Sequence, residues 1–286
     1  TGIPLSAIQD ISVQTGGFGA EYRNVRSGVV NVVTKEGNPD RYSGTISFRN
    51  SPPTQKHFGI SPYDKNSFWN RPYFDDDVCW TGTNNGNWDE YTQRQYPSFD
   101  GWNSVSQQTF ADNDPINDLA PSGAQKLFTW ENRKNGAISL PDYNIDAGFG
   151  GPVPLLSKKL GNLRFFASFR SEHDAYLYQV SRPGLNKVSS LIKLTSDLSK
   201  SMKLSFSYIA GELQATTLSR GGGASYMNDV WDLASQVNMR GFTMPWRLFT
   251  DIYWSSSTVN NATTAMKLTH QLSQRSFYEV LVKFDE

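Results

Sequence analysis

Seven stretches of the chain alternate apolar and polar residues with a period of two. The first covers 42–49, where Tyr42, Gly44, Ile46 and Phe48 fall on one side and Ser43, Thr45, Ser47 and Arg49 on the other. The same alternation returns over 143–151, 163–170, 188–194, 202–210, 264–272 and 278–284. Successive side chains of a strand point to opposite faces, so each stretch predicts a strand with one apolar and one polar face. Within 163–170 Phe166 departs from the rule: it sits among Arg164, Ser168 and Arg170 on the polar face.

Two earlier runs have a different pattern. Residues 8–13 and 29–33 are short, apolar and β-branched, and the polar segment between them contains Gly16, Gly17, Gly19 and Gly28. Runs of this length suit strands better than helices, and the glycines permit tight turns, so a strand, loop, strand unit is predicted. The second run is apolar on both sides except at Asn31, which predicts a strand covered on both faces. An inner strand of a small α/β domain fits that pattern as well as an enclosed hairpin does.

The connections between the seven alternating stretches are long (50–142), moderate (152–162), moderate (179–187), short (195–201), long (211–263) and very short (273–277). If consecutive strands pair antiparallel, the first, third and fifth connections lie at one end of the sheet. The two longest then share one end and the two shortest the other. Outer-membrane barrels sort their loops in this way. A soluble sandwich or barrel shares the alternation but gives no physical reason for the sorting.

Composition narrows the choice only slightly. The 286 residues carry 27 basic and 27 acidic side chains, so there is no basic footprint for a nucleic-acid partner. No apolar run is long enough for a transmembrane helix, but barrel strands cross a bilayer while keeping average hydropathy low. Cys79 is the single cysteine, which rules out an internal disulfide.

The wording of the first stretch adds a family resemblance. Ile8, Ile11 and Val13, then Gly16-Gly17-Phe18-Gly19-Ala20-Glu21-Tyr22, then Ser27-Gly28-Val29-Val30-Asn31-Val32-Val33-Thr34-Lys35, resemble the C-terminal end of the plug domain of TonB-dependent outer-membrane receptors. Residues 147–153 followed by 163–168 resemble the second and third barrel strands of the same family, particularly of receptors with a carboxypeptidase-regulatory-like N-terminal domain. The resemblance implies an all-β fold: a membrane β-barrel with an α/β plug. Residues 1–37 would be the C-terminal part of the plug. Residues 38–286 would supply the first strands of a plugged antiparallel barrel of about 22 strands, with 51–142 and 212–262 as long extracellular loops. On this view the chain is a fragment of a larger receptor.

The function implied is energised uptake, across the bacterial cell outer membrane, of a ligand too large or scarce for diffusion: a glycan, peptide or siderophore. The implied partners are the TonB energy-transducing complex, reached through a segment not present here, the surrounding outer-membrane lipid, and, for a glycan, a surface lipoprotein. A non-transporting structural or accessory barrel subunit is the alternative, and a soluble β-rich binding protein is a third reading.

Candidate chemistry is sparse. His57, His173 and His270 are isolated from one another and from Cys79, and neither a nucleophile elbow nor a complete phosphate loop is present, so no catalytic, metal or cofactor site is expected and the chain is not read as an enzyme. The glycines of 220–225 predict a turn, and 226–240 a short helix. The connection 50–142 is rich in aromatics, and Trp69, Trp80, Trp88, Tyr91, Trp102 and Trp130 are the candidate ligand contacts, since flat rings beside polar groups suit sugars and apolar ligand parts. The competing reading is that these rings form a small core of their own. Acidic clusters at 75–77, 89–90 and 112–118 are read as solvated, because Thr81, Thr83 and Asn85 around Gly86 lack the carboxylates of a calcium loop.

On the polar faces, Arg49, Arg164, Arg170, Lys193 and Lys203 are expected to point into the barrel and to pair with plug carboxylates such as Glu21 or Asp10. Tyr42, Tyr143, Tyr208 and Tyr278, on the apolar faces near strand ends, are expected to form an interfacial girdle.

Overall fold

All seven alternating stretches are strands of one antiparallel sheet. The computed structural model describes residues 2–14, 29–56, 59–61, 64–68, 70–132, 138–176, 181–217 and 255–286. The strands are β3 (Ser43–Ser51), β4 (Asp142–Pro152), β5 (Arg164–Ala175), β6 (Gly184–Asp197), β7 (Met202–Thr217), β8 (Ser255–Ser273) and β9 (Ser276–Asp285). They lie side by side in chain order, β3-β4-β5-β6-β7-β8-β9, so each pairs with its neighbours in sequence. Several run further than the apolar alternation: β7 and β8 keep pairing through Gln214–Thr258 to Thr217–Ser255. The expected 212–262 connection therefore narrows to 218–254, because ladder hydrogen bonds continue past the point where the apolar pattern stops.

The register gathers the apolar positions on one face. Phe149, Ala167, Ile192, Tyr208, Thr264 and Phe284 form one row across six strands. The next row is Gly151, Phe165, Leu194, Phe206, Met266 and Val282. Nothing covers this face among the described residues: Ile46 is 77% exposed, and Phe48, Phe169, Ile192 and Met266 are exposed as well. Toward the long connections the face turns polar, through a row containing Ser171, Glu212 and Asn260 and then one of His173, Asn186, Gln214 and Thr258. Tyr143 stacks on His173 at that margin, with ring centroids 5.6 Å apart. The bare face is thus a bounded apolar band.

Near the N-terminus a 3-10 turn, Leu5–Ala7, leads into β1 (Ile8–Gln14), which pairs antiparallel with β2 (Val29–Thr34) in a separate two-stranded sheet. The strand, loop, strand expectation holds at both strands, and the glycine-rich residues between them lie outside the described residues. The expected two-sided cover does not appear: Ile11, Val13, Val30 and Val33 are exposed. Only the base of the hairpin packs on the seven-stranded sheet, and its apolar positions further out meet no covering element among the described residues.

The connection 52–141 is a folded unit. It contains α1 (Arg71–Phe74), α2 (Glu90–Gln95), α3 (Trp102–Ala111) and α4 (Pro121–Asn132). Prolines sit in the first turns of α1 and α4, where a missing N–H costs nothing. Asp89 caps α2 by accepting from the Thr92 amide at 2.8 Å. Buried Tyr73, Cys79, Trp102 and Ala124 form its core, with Phe74, Trp80, Phe99 and Phe128 packed around them. The helix expected over 226–240 lies outside the described residues. Among those described, no helix is long and apolar enough to cross a membrane.

Candidate functional site

The polar face of β4 to β7 holds the N-terminal segment, and four kinds of contact build the cradle. The first is apolar. Phe166 and Leu191 project from the otherwise polar face and bury Ala7 between them, with Ile3 and Ile209 at the edge. The residue that broke the alternation is therefore the floor of the docking site.

The second contact caps the 3-10 turn. The Asp146 carboxylate accepts from the Leu5 amide through Oδ2 and from the Ser6 amide through Oδ1, both at 2.8 Å. These amides have no partner within the turn, so a carboxylate there satisfies two donors at once. Ser6 Oγ and Ser168 Oγ lie 2.6 Å apart beside them.

The third contact fixes the chain leaving the hairpin. Lys35 N–H donates to the Ala7 carbonyl at 2.7 Å, and Lys193 Nζ donates to the Thr34 carbonyl at 3.2 Å. Gly37 then passes so close to β5 that a Cβ there would overlap the Phe165 carbonyl oxygen.

The fourth contact is ionic. Glu36 faces Arg164 at 3.3 Å, Lys193 at 3.4 Å and Lys203 at 3.5 Å, from three successive strands. Arg164 also pairs with Asp197 at 2.8 Å. Burial pushes the Glu36 carboxyl up, but Lys193, Lys203 and Arg164 outweigh it and hold the group below its ordinary range. A polar cavity of about 590 Å³ opens beside the cluster, lined by Gln9, Asn38, Ser43 and Lys203 among others.

Three of the five cations expected on this face engage the N-terminal segment, with a different partner from those anticipated. Asp10 accepts instead from the adjacent Ile11 amide at 2.9 Å. Glu21 lies outside the described residues. Arg170 pairs with Glu172 on its own strand at 3.2 Å, and Arg49 is exposed at the edge of the sheet. Glu36 and Asp146 were the functional carboxylates that sequence reasoning passed over. Asp146 could have been found as the single carboxylate on the polar side of its stretch, and Glu36 by its place directly after the hairpin.

The six aromatic candidates do not converge. Trp69 lies outside the described residues. Trp102 is a core residue whose Nε1–H donates to the Tyr73 carbonyl at 2.9 Å. Trp88 is buried, donates to Asp75 at 3.2 Å, and covers the Arg71 guanidinium together with Tyr96, at 5.2 and 5.1 Å. Trp80 is half-buried against the core. Tyr91 on α2 and Trp130 on α4 remain at the surface, 76% and 73% exposed. The competing reading of a small aromatic core thus describes Trp80 and Trp102, while Tyr91 and Trp130 are open to a ligand.

The acidic stretch beside them is internally bonded. Asn85 Nδ2 donates to the Asp77 carbonyl and to Thr81 Oγ1, both at 2.7 Å, and Asn87 Nδ2 donates to the same carbonyl at 2.7 Å. Among the described residues no three His, Cys, Asp or Glu side chains converge on a metal-sized site. Neither a family model, nor a curated protein, nor a solved structure matches the chain.

Proposed function

We propose that this chain is part of a TonB-dependent receptor of the bacterial outer membrane, holding the end of the plug and the first seven strands of a plugged barrel of about 22 strands. The observation that carries the reading is the contrast between the two faces of the sheet. One is a bounded apolar band that none of the described residues covers, and the other is polar and cradles a segment of the same chain.

Strand length supports it. The seven strands run from 9 to 19 residues; soluble strands are most often about 5–6 residues long, and about 9–11 tilted residues cross a bilayer. Among the described residues nothing pairs with the outer edges of strands β3 and β9, and such edges are incompatible with lipid until further strands close the sheet. The helical unit over 52–141 then stands at the extracellular end, where exposed Tyr91 and Trp130 suit stacking on a glycan or an apolar part of a peptide or siderophore. Docking of residues 3–7 and 34–37 seats the plug, and its displacement by the inner-membrane energy source admits the ligand.

The test is fractionation of the full-length protein followed by uptake measurements. Retention in outer membranes after alkaline carbonate, with loss of ligand uptake on removing the TonB-contact segment, is expected. Release into the carbonate supernatant would sink the proposal. Carbonate retention with unchanged uptake would favour an accessory barrel without transport.

A further inference from the structure

The connections at the end opposite the helical unit, 153–163, 198–201 and 274–275, share a chemistry that the docked segment does not use. They carry exposed Lys158, Lys159, Lys200 and Arg275 and contain no carboxylate. The same turns display Leu155, Leu156, Leu160 and Leu198 to solvent. By contrast, the 52–141 connection at the other end is rich in aspartate, with Asp75, Asp76 and Asp77 in succession.

Leu155 makes the case specific. It is 94% exposed and its backbone lies in the left-handed region, at φ +63°. A branched side chain is strained there, and turns left in water normally place glycine or asparagine at such a position. The conformation is held by Leu156 N–H donating to the Pro154 carbonyl at 2.7 Å and Ser157 N–H to the Val153 carbonyl at 3.0 Å. A strained residue that also exposes its whole apolar surface points to an occupant outside the chain. The 153–163 turn leaves the sheet next to the Gly151–Phe165 pair, at the end of the apolar band.

We infer that this short-turn end is a membrane-surface contact, in which Leu155, Leu156 and Leu160 enter the interfacial zone of the nearer leaflet and Lys158, Lys159 and Lys200 bind anionic phospholipid headgroups. The inference rests on the barrel reading, which places the adjoining band in lipid. Leucines flanked by snorkelling lysines on two turns, with Arg275 on the third, match the layering of a leaflet, with hydrocarbon inside and phosphate outside.

The test uses the full-length chain in phosphatidylcholine vesicles with and without phosphatidylglycerol. Nitroxide labels are placed singly at Leu155→Cys, Ile192→Cys and Ile116→Cys; Cys79 is buried, and its thiol, pushed up to about 11, stays unlabelled at neutral pH. The 192 label should read hydrocarbon, the 155 label headgroup depth with a several-fold loss of access to an aqueous relaxation agent, and the 116 label water. Lys158→Gln and Lys159→Gln should each weaken phosphatidylglycerol retention by about fivefold, with phosphatidylcholine unaffected. A 155 label as wet as the 116 label while 192 sits in lipid overturns the inference and leaves the barrel standing, as would unchanged phosphatidylglycerol retention in both glutamine variants. A wet 192 label overturns the barrel reading itself.

Discussion

Replacing Glu36 with glutamine should loosen the N-terminal segment from the sheet without unfolding the sheet. The carboxylate meets three cations between 3.3 and 3.5 Å. A unit pair at that distance is worth about 5 kcal/mol at an effective dielectric near 20, before desolvation is charged against it. Arg164 keeps Asp197 in the variant, and Lys203 is half-exposed, so much of the lost attraction is recovered. The net loss should fall between the exposed and buried limits for an ion pair, at about 2 kcal/mol. That is about a 30-fold shift in the opening equilibrium.

Hydrogen exchange reads it directly, because the Leu5 and Ser6 amides donate to Asp146 of β4 across the docking interface. Exchange of these two amides should accelerate about 30-fold while amides of β6 and β7 hold their rates; acceleration under about twofold would refute the reasoning. The pH dependence follows from the sign of the shift. A carboxyl held below its ordinary range stabilises the docked state above that range and ceases to do so as pH falls through its folded value. Corrected for intrinsic rates, protection of the Leu5 and Ser6 amides in the native chain should therefore fall on acidification, and Glu36→Gln should reduce that dependence.

Other perturbations separate the parts of the structure. Gly37→Ala would drive a Cβ into the Phe165 carbonyl, and since backbone cannot step aside cheaply the docked segment should lose about 2 kcal/mol, visible as faster proteolysis within residues 1–14. Phe166→Ala removes the apolar floor beneath Ala7 and should cost about 3 kcal/mol in the same assay. Trp102→Ala should unfold the helical unit, costing about 3–5 kcal/mol and turning Cys79 from inert to readily alkylated at neutral pH. Tyr91→Ala and Trp130→Ala, at exposed positions, should leave stability within about 0.5 kcal/mol, so any loss of ligand binding in them reports contact rather than folding.

The seven strands and their faces were legible because the period-two signal is strong wherever one face is apolar. The ends of the strands were not legible, since beyond Ala210 the apolar residues of β7, buried Leu213 and Ala215, change to the other face, and β8 before Thr264 is mostly polar. Lys193, Lys203 and Arg164 could be assigned to a shared face by counting, but their partner could not, because Glu36 reaches them only after β2 returns the chain to the base of the hairpin. Aromatic identity likewise failed to separate Trp102 from Trp130. Both lie in helices of one short unit, and only packing decides which ring is core. The informative irregularity was Phe166: a large apolar residue on a polar face, with Leu191 beside it on the next strand, marks a place where something else docks.

The composition of that docking site bears on how it works. If the N-terminal segment were held as a core holds a helix, its release would expose a large apolar surface and be prohibitively slow. Instead the apolar part is confined to Phe166, Leu191 and Ala7 with Ile3 and Ile209, and the remaining contacts are carboxylate-to-amide, hydroxyl and ion-pair bonds next to a polar cavity. Water can take over those bonds one at a time as the segment moves, so each costs about 0.5–1.5 kcal/mol net rather than a full desolvation penalty. On the proposed reading, this makes the seat strong enough to keep the barrel shut and weak enough to yield to a pull transmitted along the chain, whereas replacing Asp146 and Ser168 by leucine would be expected to tighten the seat only if the Leu5 and Ser6 amides found other partners.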